Sequence, residues 1–427
     1  MLNLIEQYQE RFLKNFNTTY KRYLYNEINF NEKLIGIVGA RGTGKTTMLF
    51  QKLIELKVQN KKALYISLDY PFLGSTSLSD LAFEFVDSGG EYLLLDEVHK
   101  YEDFAAHLKT IYDMSPLNVI FTGSSAVSIL NAKSDLSRRV SVFSLEGLSF
   151  REFLELENGM TIDKFSLEAI LKDHQAIAND LKIKQNQFKK YLKFGYYPFY
   201  FNKQSSYYES LLNTINLSID VDLTSLGLVE QKYTYKLKKL LEVVCQSEPL
   251  EVNYTKIAAL AEISRAKLYD YIAYLNDARL VNMIDEQSRG LSKLVKPAKI
   301  YMNNTNLIYA YGEDCKAGTI RETFFANQLR VKYRLNIPKQ GDFIVDDKFI
   351  FEVGGSDFYA DLILYNIQLH AYVVVELKAT PFKPEYMGQL NFYINVVDDS
   401  LRGEHDNKTI GLLLCNGGDK VVAKYAL

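Results

Sequence analysis

The stretch GARGTGKT at positions 39–46 constrains this chain of 427 residues more than any other feature. It follows an apolar run, LIGIVGA (34–40), and opens a helical pattern, TTMLFQKLIELKVQ. Glycine tolerates φ > 0, so Gly39, Ala40, Arg41, Gly42, Thr43 and Gly44 can curl their N–H groups around a phosphate. The helix beginning there adds a partial positive charge. Lys45 reaches the β and γ phosphates, the Thr46 hydroxyl is a ligand for Mg²⁺, and Thr47 completes the cofactor-binding stretch. Strand, loop and helix in this order are the context that identifies a P-loop. The expected cofactors are ATP and Mg²⁺.

Further apolar runs recur at 62–69 (KALYISLD), 92–98 (YLLLDEV) and 118–124 (NVIFTGS), separated by helical stretches. Short buried strands alternating with helices imply a parallel sheet covered on both faces. Residues 1–30 read as one amphipathic helix and its continuation. After about residue 150 the pattern turns charged and mostly helical, and from about 320 it becomes short strands around one helix. The chain is thus expected to divide into 1–150, 151–320 and 321–427.

Composition narrows the class. Lys and Arg number 50 against 52 Asp and Glu, a net charge of −2, which excludes bulk-charge nucleic-acid binding of the histone kind. No apolar run approaches the ~20 residues of a membrane span. The N-terminus carries charges inside its apolar pattern, unlike a signal peptide. Cys245, Cys315 and Cys415 have no metal or disulfide spacing. A soluble cytoplasmic protein, with no membrane partner, is expected. Its 31 Tyr and 25 Phe, with no Trp, are read as core-filling rather than base-stacking residues.

In YLLLDEVHKY (92–101), a buried strand delivers two carboxylates at its C-terminal edge, where ligands of open α/β sheets bind. Asp96 is expected to hold Mg²⁺ and Glu97 to polarise the attacking water. NVIFTGSS ends another strand in hydroxyls, with Ser124 or Ser125 expected at the γ-phosphate or the attacking water. Arg138 and Arg139 read either as a finger on transition-state charge, in cis or from a neighbouring subunit, or as a salt-bridging surface pair.

Taken together, GARGTGKTTML, LLLDEVHKY, IFTGSSA, LSRRV and LSFREF resemble the prokaryotic AAA-type ATPases that append a winged-helix segment and a nuclease-like domain. The resemblance covers roughly residues 15–325. It implies that Arg138 or Arg139 is the finger and that Ser124 lies in the sensor strand. A homo-oligomer is a separate partner expectation, beside DNA.

Residues 251–290 read as helix, turn, helix and strand, with Ser264 capping the second helix within a winged helix of about 235–305. Arg265, Lys267 and Tyr269 near that helix's start suit DNA contact, while the same unit also serves as a protein-contact module. RGLSKLVKPAKIYMNN (289–304) adds a basic strip.

In the last segment, Asp361 precedes LILYN, and Glu376 and Lys378 lie in AYVVVELK. A hairpin through N-I-Q-L-H brings the two strands together. Two carboxylates and a lysine suit Mg²⁺-dependent phosphodiester cleavage, the carboxylates holding metal and the lysine meeting the phosphate. The run FEVGGSDFYADLILYNIQLHAYVVVELKATPFKPEYMGQLNFYINVVDD resembles the C-terminal domain of the YhcG-type nucleases of the PD-(D/E)xK superfamily, over about residues 340–427. The resemblance implies a catalytic core of Asp361, Glu376 and Lys378. Gln389 is then a supporting polar residue, with Glu352 or Glu322 completing metal binding. Ala360 stands where the superfamily motif has proline.

The expected fold class is α/β: a P-loop parallel-sheet ATPase domain, a helical and winged-helix middle, and a restriction-endonuclease-like α/β C-terminal domain. The expected function is that of an ATP-binding and hydrolysing protein acting on DNA, with a Mg²⁺-dependent nuclease-like C-terminal domain. The alternative is a nucleotide-regulated switch whose C-terminal domain binds without cutting, and an ATPase adaptor is a third reading.

Overall fold

The computed structural model describes residues 1–415 with these exceptions: 17–18, 71–76 other than Leu73, 124–135, 137, parts of 167–182, 226, 247–253, 287–298, 313–316, 339–341, 347–348, 354–361, 368, 379–383 other than Phe382, and 404. The chain forms two compact units. The first comprises Met1–Gly159, Gly195–Lys238 and Tyr269–Leu280, and the second comprises Met160–Phe194, Lys239–Leu268 and Val281–Leu427.

The first unit begins with α1 (Leu2–Asn15) and α2 (Tyr23–Glu27). Extended backbone at Phe16 ends α1, so the leading segment holds two helices rather than one run. Next come β1 (Leu34–Val38), α3 (Lys45–Val58), β2 (Ala63–Ser67), α4 (Leu78–Asp87), β3 (Tyr92–Asp96), α5 (Phe104–Met114) and β4 (Asn118–Gly123). β5 (Ser141–Ser144) and α6 (Phe150–Asn158) follow.

The strand order is β2-β3-β4-β1-β5, and every pairing is parallel. Side chains alternate across the sheet. Leu34, Val38, Leu93, Leu95, Val119 and Phe121 pack with α1, α4 and α5, while Ile35, Ile37, Tyr65, Leu94 and Ile120 pack with α3. Each such Leu or Ile, wholly removed from water, contributes roughly 1.5–3 kcal/mol. Because all five strands run the same way, their C-terminal ends share one edge. The loop after β1, Asp96 at the end of β3 and Thr122 near the end of β4 therefore meet there. Ser141, pairing with Ile35, starts β5 at the opposite edge.

After α6 the chain enters the second unit through α7 (Gln185–Phe194), then returns to the first with α8 (Tyr207–Leu217) and a π-helical turn, Ser218–Asp222. Further along lie α9 (Thr234–Gln246), α10 (Tyr254–Leu260) and α11 (Arg265–Asp277). An antiparallel pair follows, β6 (Val281–Ile284) and β7 (Lys299–Met302). Ser264 accepts from the Lys267 N–H at 3.4 Å, a long cap on α11.

The second unit continues with α12 (Thr305–Tyr311), α13 (Ala317–Leu329) and β8 (Leu335–Asn336). β9 (Phe343–Val345), β10 (Phe349–Val353), β11 (Leu362–Asn366), β12 (Ala371–Lys378), α14 (Pro384–Ser400) and β13 (Ile410–Cys415) complete it. These six strands form a mixed sheet of order β13-β12-β11-β10-β9-β8, with β12 and β13 parallel across α14. The expected hairpin is present: β11 and β12 pair antiparallel from Leu362–Val375 to Asn366–Ala371. On one face Val374 packs with Leu390, Tyr393 and Val397 of α14; on the other, Val373 and Val375 join Leu364 and Leu412.

Candidate functional site

The phosphate-binding loop is built by backbone conformation. Gly42 and Gly44 have φ of +85° and +99°, a region that costs other residues strain, and Gly44 leads directly into α3. A Cβ at Gly42 would also lie 2.9 Å from the Phe199 ring. Buried Lys45 folds back on the loop, donating to the carbonyls of Gly39 (3.0 Å) and Ala40 (2.8 Å). Burial pulls its ammonium down to about 8, opposed by the nearby charges of Glu97 and Asp96.

Asp96, 2% exposed, is the centre of a hydrogen-bond set. Its Oδ2 accepts from the Thr46 hydroxyl at 2.6 Å and the Tyr65 hydroxyl at 3.0 Å, and its Oδ1 from the Thr122 hydroxyl. Burial pushes this carboxyl above its ordinary range, and the hydroxyls of Thr122 and Thr46 partly oppose the shift. A threonine hydroxyl and a carboxylate side by side are hard oxygen donors at the head of α3, the chemistry that suits Mg²⁺. The donors fit the ion, and the glycine loop fits a polyphosphate.

Glu97 follows at φ +55°, an uncommon conformation outside glycine that turns its side chain away from the strand. Its N–H donates to Thr122 Oγ1 at 3.3 Å, and its Oε2 lies 3.4 Å from Nε2 of the buried His99. Strand β4 thus contributes Thr122, which holds both Asp96 and the Glu97 backbone. A hydroxyl residue ending an apolar strand beside an acidic one is the signal that identifies it. Ser124 and Ser125 lie outside the described residues.

A second support was not legible in the motifs. Arg22 donates from NH1 to the Thr43 carbonyl (2.9 Å) and from NH2 to those of Glu146 (3.0 Å) and Gly147 (2.7 Å). It forms a two-pronged pair with Glu152 at 2.8 and 3.1 Å. Glu152 also accepts from the Tyr23 N–H, and with Ser149 it caps α6. Burial pushes the Glu152 carboxyl up, but Arg22 more than reverses this and holds it below its usual range. The stability this carboxylate supplies is therefore present at neutral pH and is lost as pH falls through its lowered value.

Glu152→Ala, which leaves Arg22 buried and unpaired, should cost the first unit about 3–5 kcal/mol. A urea midpoint fixed by tryptophan-free near-UV circular dichroism reads this directly. Arg22→Ala/Glu152→Ala should cost little more than the single change, and additive losses would contradict the coupling.

Arg139 is held by Asp113 through its Nε (2.9 Å) and NH2 (3.1 Å), and Arg138 is exposed. Both precede Ser141, at the edge of the sheet away from the phosphate-binding loop. This placement speaks against a finger in cis.

In the second unit, Glu376 occupies β12 on the α14 side and is 1% exposed. Asp361 lies outside the described residues, but its neighbour Leu362 pairs with Val375, the neighbour of Glu376. Lys378 ends β12, Gln389 lies in α14 and Glu352 in β10. Glu322 on α13 is engaged by Tyr301 (2.8 Å) and Lys299 (3.3 Å), and burial raises its carboxyl. Lys299 also holds Asp342 at 3.1 Å. Among the described residues no group of three His, Cys, Asp or Glu side chains is placed to hold a metal. No helix among them is long and apolar enough to cross a membrane.

Of the DNA-facing candidates, Arg265 and Lys267 are exposed and Tyr269 is half-buried; 287–298, most of the basic strip, lie outside the described residues.

Comparison with known proteins covers the regions that hold these residues. Residues 31–154 match the family model of an AAA domain, residues 185–314 that of a domain of unknown function, and residues 328–427 that of the YhcG PDDEXK nuclease domain. An uncharacterized protein of Methanocaldococcus jannaschii is 27% identical over 313 residues, which are 67% of this chain and 66% of that protein. The chain therefore spans just under two thirds of that relative's length. Among solved structures, AMPPCP-bound DnaA from Aquifex aeolicus is 15% identical, covering 64% of this chain and 87% of its own, with a TM-score of 0.22. The S. cerevisiae Hsp104–ADP complex is 17% identical, covering 64% and 41%, with a TM-score of 0.30. The family matches bear out the resemblance carried by the motifs: the chain is similar to AAA-type P-loop ATPases over residues 31–154 and to YhcG PDDEXK nucleases over residues 328–427.

Proposed function

We propose that this protein hydrolyses ATP at the loop formed by residues 39–46 and acts on DNA through its nuclease-like C-terminal domain. The observation that carries the first part is the buried Asp96 carboxylate, joined to Thr46 at the head of α3 and to Thr122, with Glu97 turned out beside it. Loop N–H groups and the start of α3 bind the phosphates. Lys45 exchanges its loop carbonyls for phosphate oxygens. Thr46 and Asp96 would hold Mg²⁺, which when bound neutralises charge on the β and γ phosphates. Glu97 orients the attacking water and accepts hydrogen bonding from it, with His99 and Thr122 fixing the carboxylate and its backbone.

The second part is supported by the match over residues 328–427 and by the β11–β12 hairpin that carries Glu376. Asp361, Glu376 and Lys378 are the proposed cleavage residues, with Gln389 supporting them. The region of about residues 235–305, with its helix–turn–helix and antiparallel pair, is proposed as a winged helix, with Arg265 and Lys267 toward phosphates. The same division into 1–150, 151–320 and 321–427 describes the proposed roles, and a cytoplasmic homo-oligomer is the proposed working form.

The test is nucleotide binding and turnover in two variants. Lys45→Ala should weaken Mg²⁺-ATP binding, since a buried cation facing the phosphates is lost. Glu97→Gln should keep the parent affinity and lower turnover by about 10²–10⁴, the usual contribution of a positioned base. Turnover at the parent rate in Glu97→Gln would remove Glu97 from the reaction.

A further inference from the structure

Arg41 belongs to the phosphate-binding loop, yet its side chain turns to a carboxylate from far along the chain. Its NH2 nitrogen lies 2.8 Å from Oδ1 and 3.0 Å from Oδ2 of Asp222. Lys100 Nζ lies 3.2 Å from the same Oδ1, and His99 Nε2 faces it at 4.0 Å. Burial pulls the His99 imidazole down to about 4, so at neutral pH the countercharges of Asp222 are Arg41 and Lys100. Asp222 itself is 3% exposed. It ends the Ser218–Asp222 π-helical turn, a rare backbone form that tends to occur where function demands it.

Around Lys45 the charges balance: Arg41, Lys45 and Lys100 against Asp96, Glu97 and Asp222. A bound triphosphate brings further negative charge into this balanced set. Asp96 is committed to Thr46, and Glu97 stands at the water position. Asp222 alone is held by a loop guanidinium and a lysine, the two groups proteins use to bind phosphate. Resting on the reading of this loop as a nucleotide site, we infer that the Asp222 carboxylate holds the place of the terminal phosphate. It keeps Arg41 and Lys100 aimed and compensated, and it gives them up to a nucleoside triphosphate but not to a diphosphate. Lys100 is then a phosphate contact outside the loop motif, and Asp222 sets the preference between the two nucleotides. Transfer of its partners also frees the 218–222 turn, so the nucleotide state is passed to that segment.

Calorimetric titration of the full chain with AMPPNP and with ADP, both with Mg²⁺, tests this. Asp222→Asn removes the competing charge and keeps the shape. It should tighten AMPPNP binding roughly tenfold, the effect of deleting one like charge several ångströms away in a partly desolvated site, while ADP changes less than about twofold. Lys100→Gln should do the reverse, weakening AMPPNP several-fold and sparing ADP. Asp220→Asn, which breaks the neighbouring 2.6 Å pair with Lys238, controls for damage to the turn and should leave both affinities unchanged. If Asp222→Asn and Asp220→Asn weaken both nucleotides alike, Asp222 is an anchor for the turn and the inference fails while the nucleotide site stands. If Lys100→Gln leaves AMPPNP binding at the parent value, the inference fails from the other partner, independently of how Asp222→Asn folds. Parent protein that binds neither nucleotide overturns the nucleotide site itself, and this inference with it.

Discussion

Glu376→Ala should abolish Mg²⁺-dependent cleavage of DNA and leave ATP hydrolysis at the parent rate. Glu376 is buried on the α14 face of β12, in line with Tyr372 and Val374. A carboxylate so far removed from water costs several kcal/mol unless cations or hydrogen bonds compensate it. An apolar strand has no packing reason to carry one. The metal-binding role proposed above would account for a carboxylate there, and the pair Leu362–Val375 joins the two strands just after Asp361 and just before Glu376 in sequence. Losing such a ligand should lower cleavage on the order of 10³-fold or more, since metal-derived charge stabilisation amounts to several kcal/mol. Asp361→Ala and Lys378→Ala should behave alike. ATP turnover is spared because Lys45, Asp96 and Glu97 belong to the other compact unit. The measurement is nicking and cleavage of plasmid, branched and single-stranded DNA with Mg²⁺ or Mn²⁺, beside an ATPase assay on the same preparations. Cleavage surviving in all three variants would come from a contaminant. A parent protein that cuts nothing but binds DNA would make the C-terminal domain a binding platform.

Arg139→Ala should retain ATP affinity and lose about 10³-fold or more in turnover, the scale of an arginine finger. The argument is geometric. Arg139 precedes β5, whose first residue, Ser141, pairs with Ile35 near the start of β1. The phosphate-binding loop follows the other end of β1, so a finger at this place acts only on a neighbouring copy. Its pairing with Asp113 is exposed, and an exposed pair contributes at most about 1 kcal/mol, little enough to exchange for a partner's phosphate. Specific activity should therefore rise with protein concentration as copies associate. Asp113→Asn should leave the rate intact. Activity independent of concentration, with Arg139→Ala as fast as the parent, would make the pair a surface contact only.

The parts of this molecule legible in the sequence are those whose signal is contiguous. β1, β2, β3 and β4 are short apolar runs because both faces of a parallel sheet are buried, and the loop announces itself in eight consecutive residues. β5 escapes this reading: Ser141–Ser144 is half-buried and has only Val142 and Phe143 between its two serines, too short an apolar run to mark a strand. The division of the leading helix at Phe16 also lacks a proline or glycine to mark it. Asp222 and Arg22 carry no local pattern at all, for each acts on the loop through partners 181 and 21 residues away. Within the second unit, the run MNNTN carries no motif of its own. Yet Asn303, Asn304 and Asn306 are buried, and Asn282 and Asn303 bond each other across β6 and β7.

The first unit is assembled from three separated stretches of chain, and this orders events during synthesis. The ribosome completes Thr46 long before it reaches Phe199, which lies over Gly42, or Asp222, which balances Arg41. At typical elongation rates that interval lasts roughly ten to thirty-five seconds. Throughout it the nascent loop has Arg41 and Lys45 but neither the ring that covers it nor the carboxylate that compensates it. The nucleotide proposed for this loop would then be the template on which residues 195–222 close, before it is the ligand that the finished site is proposed to discriminate.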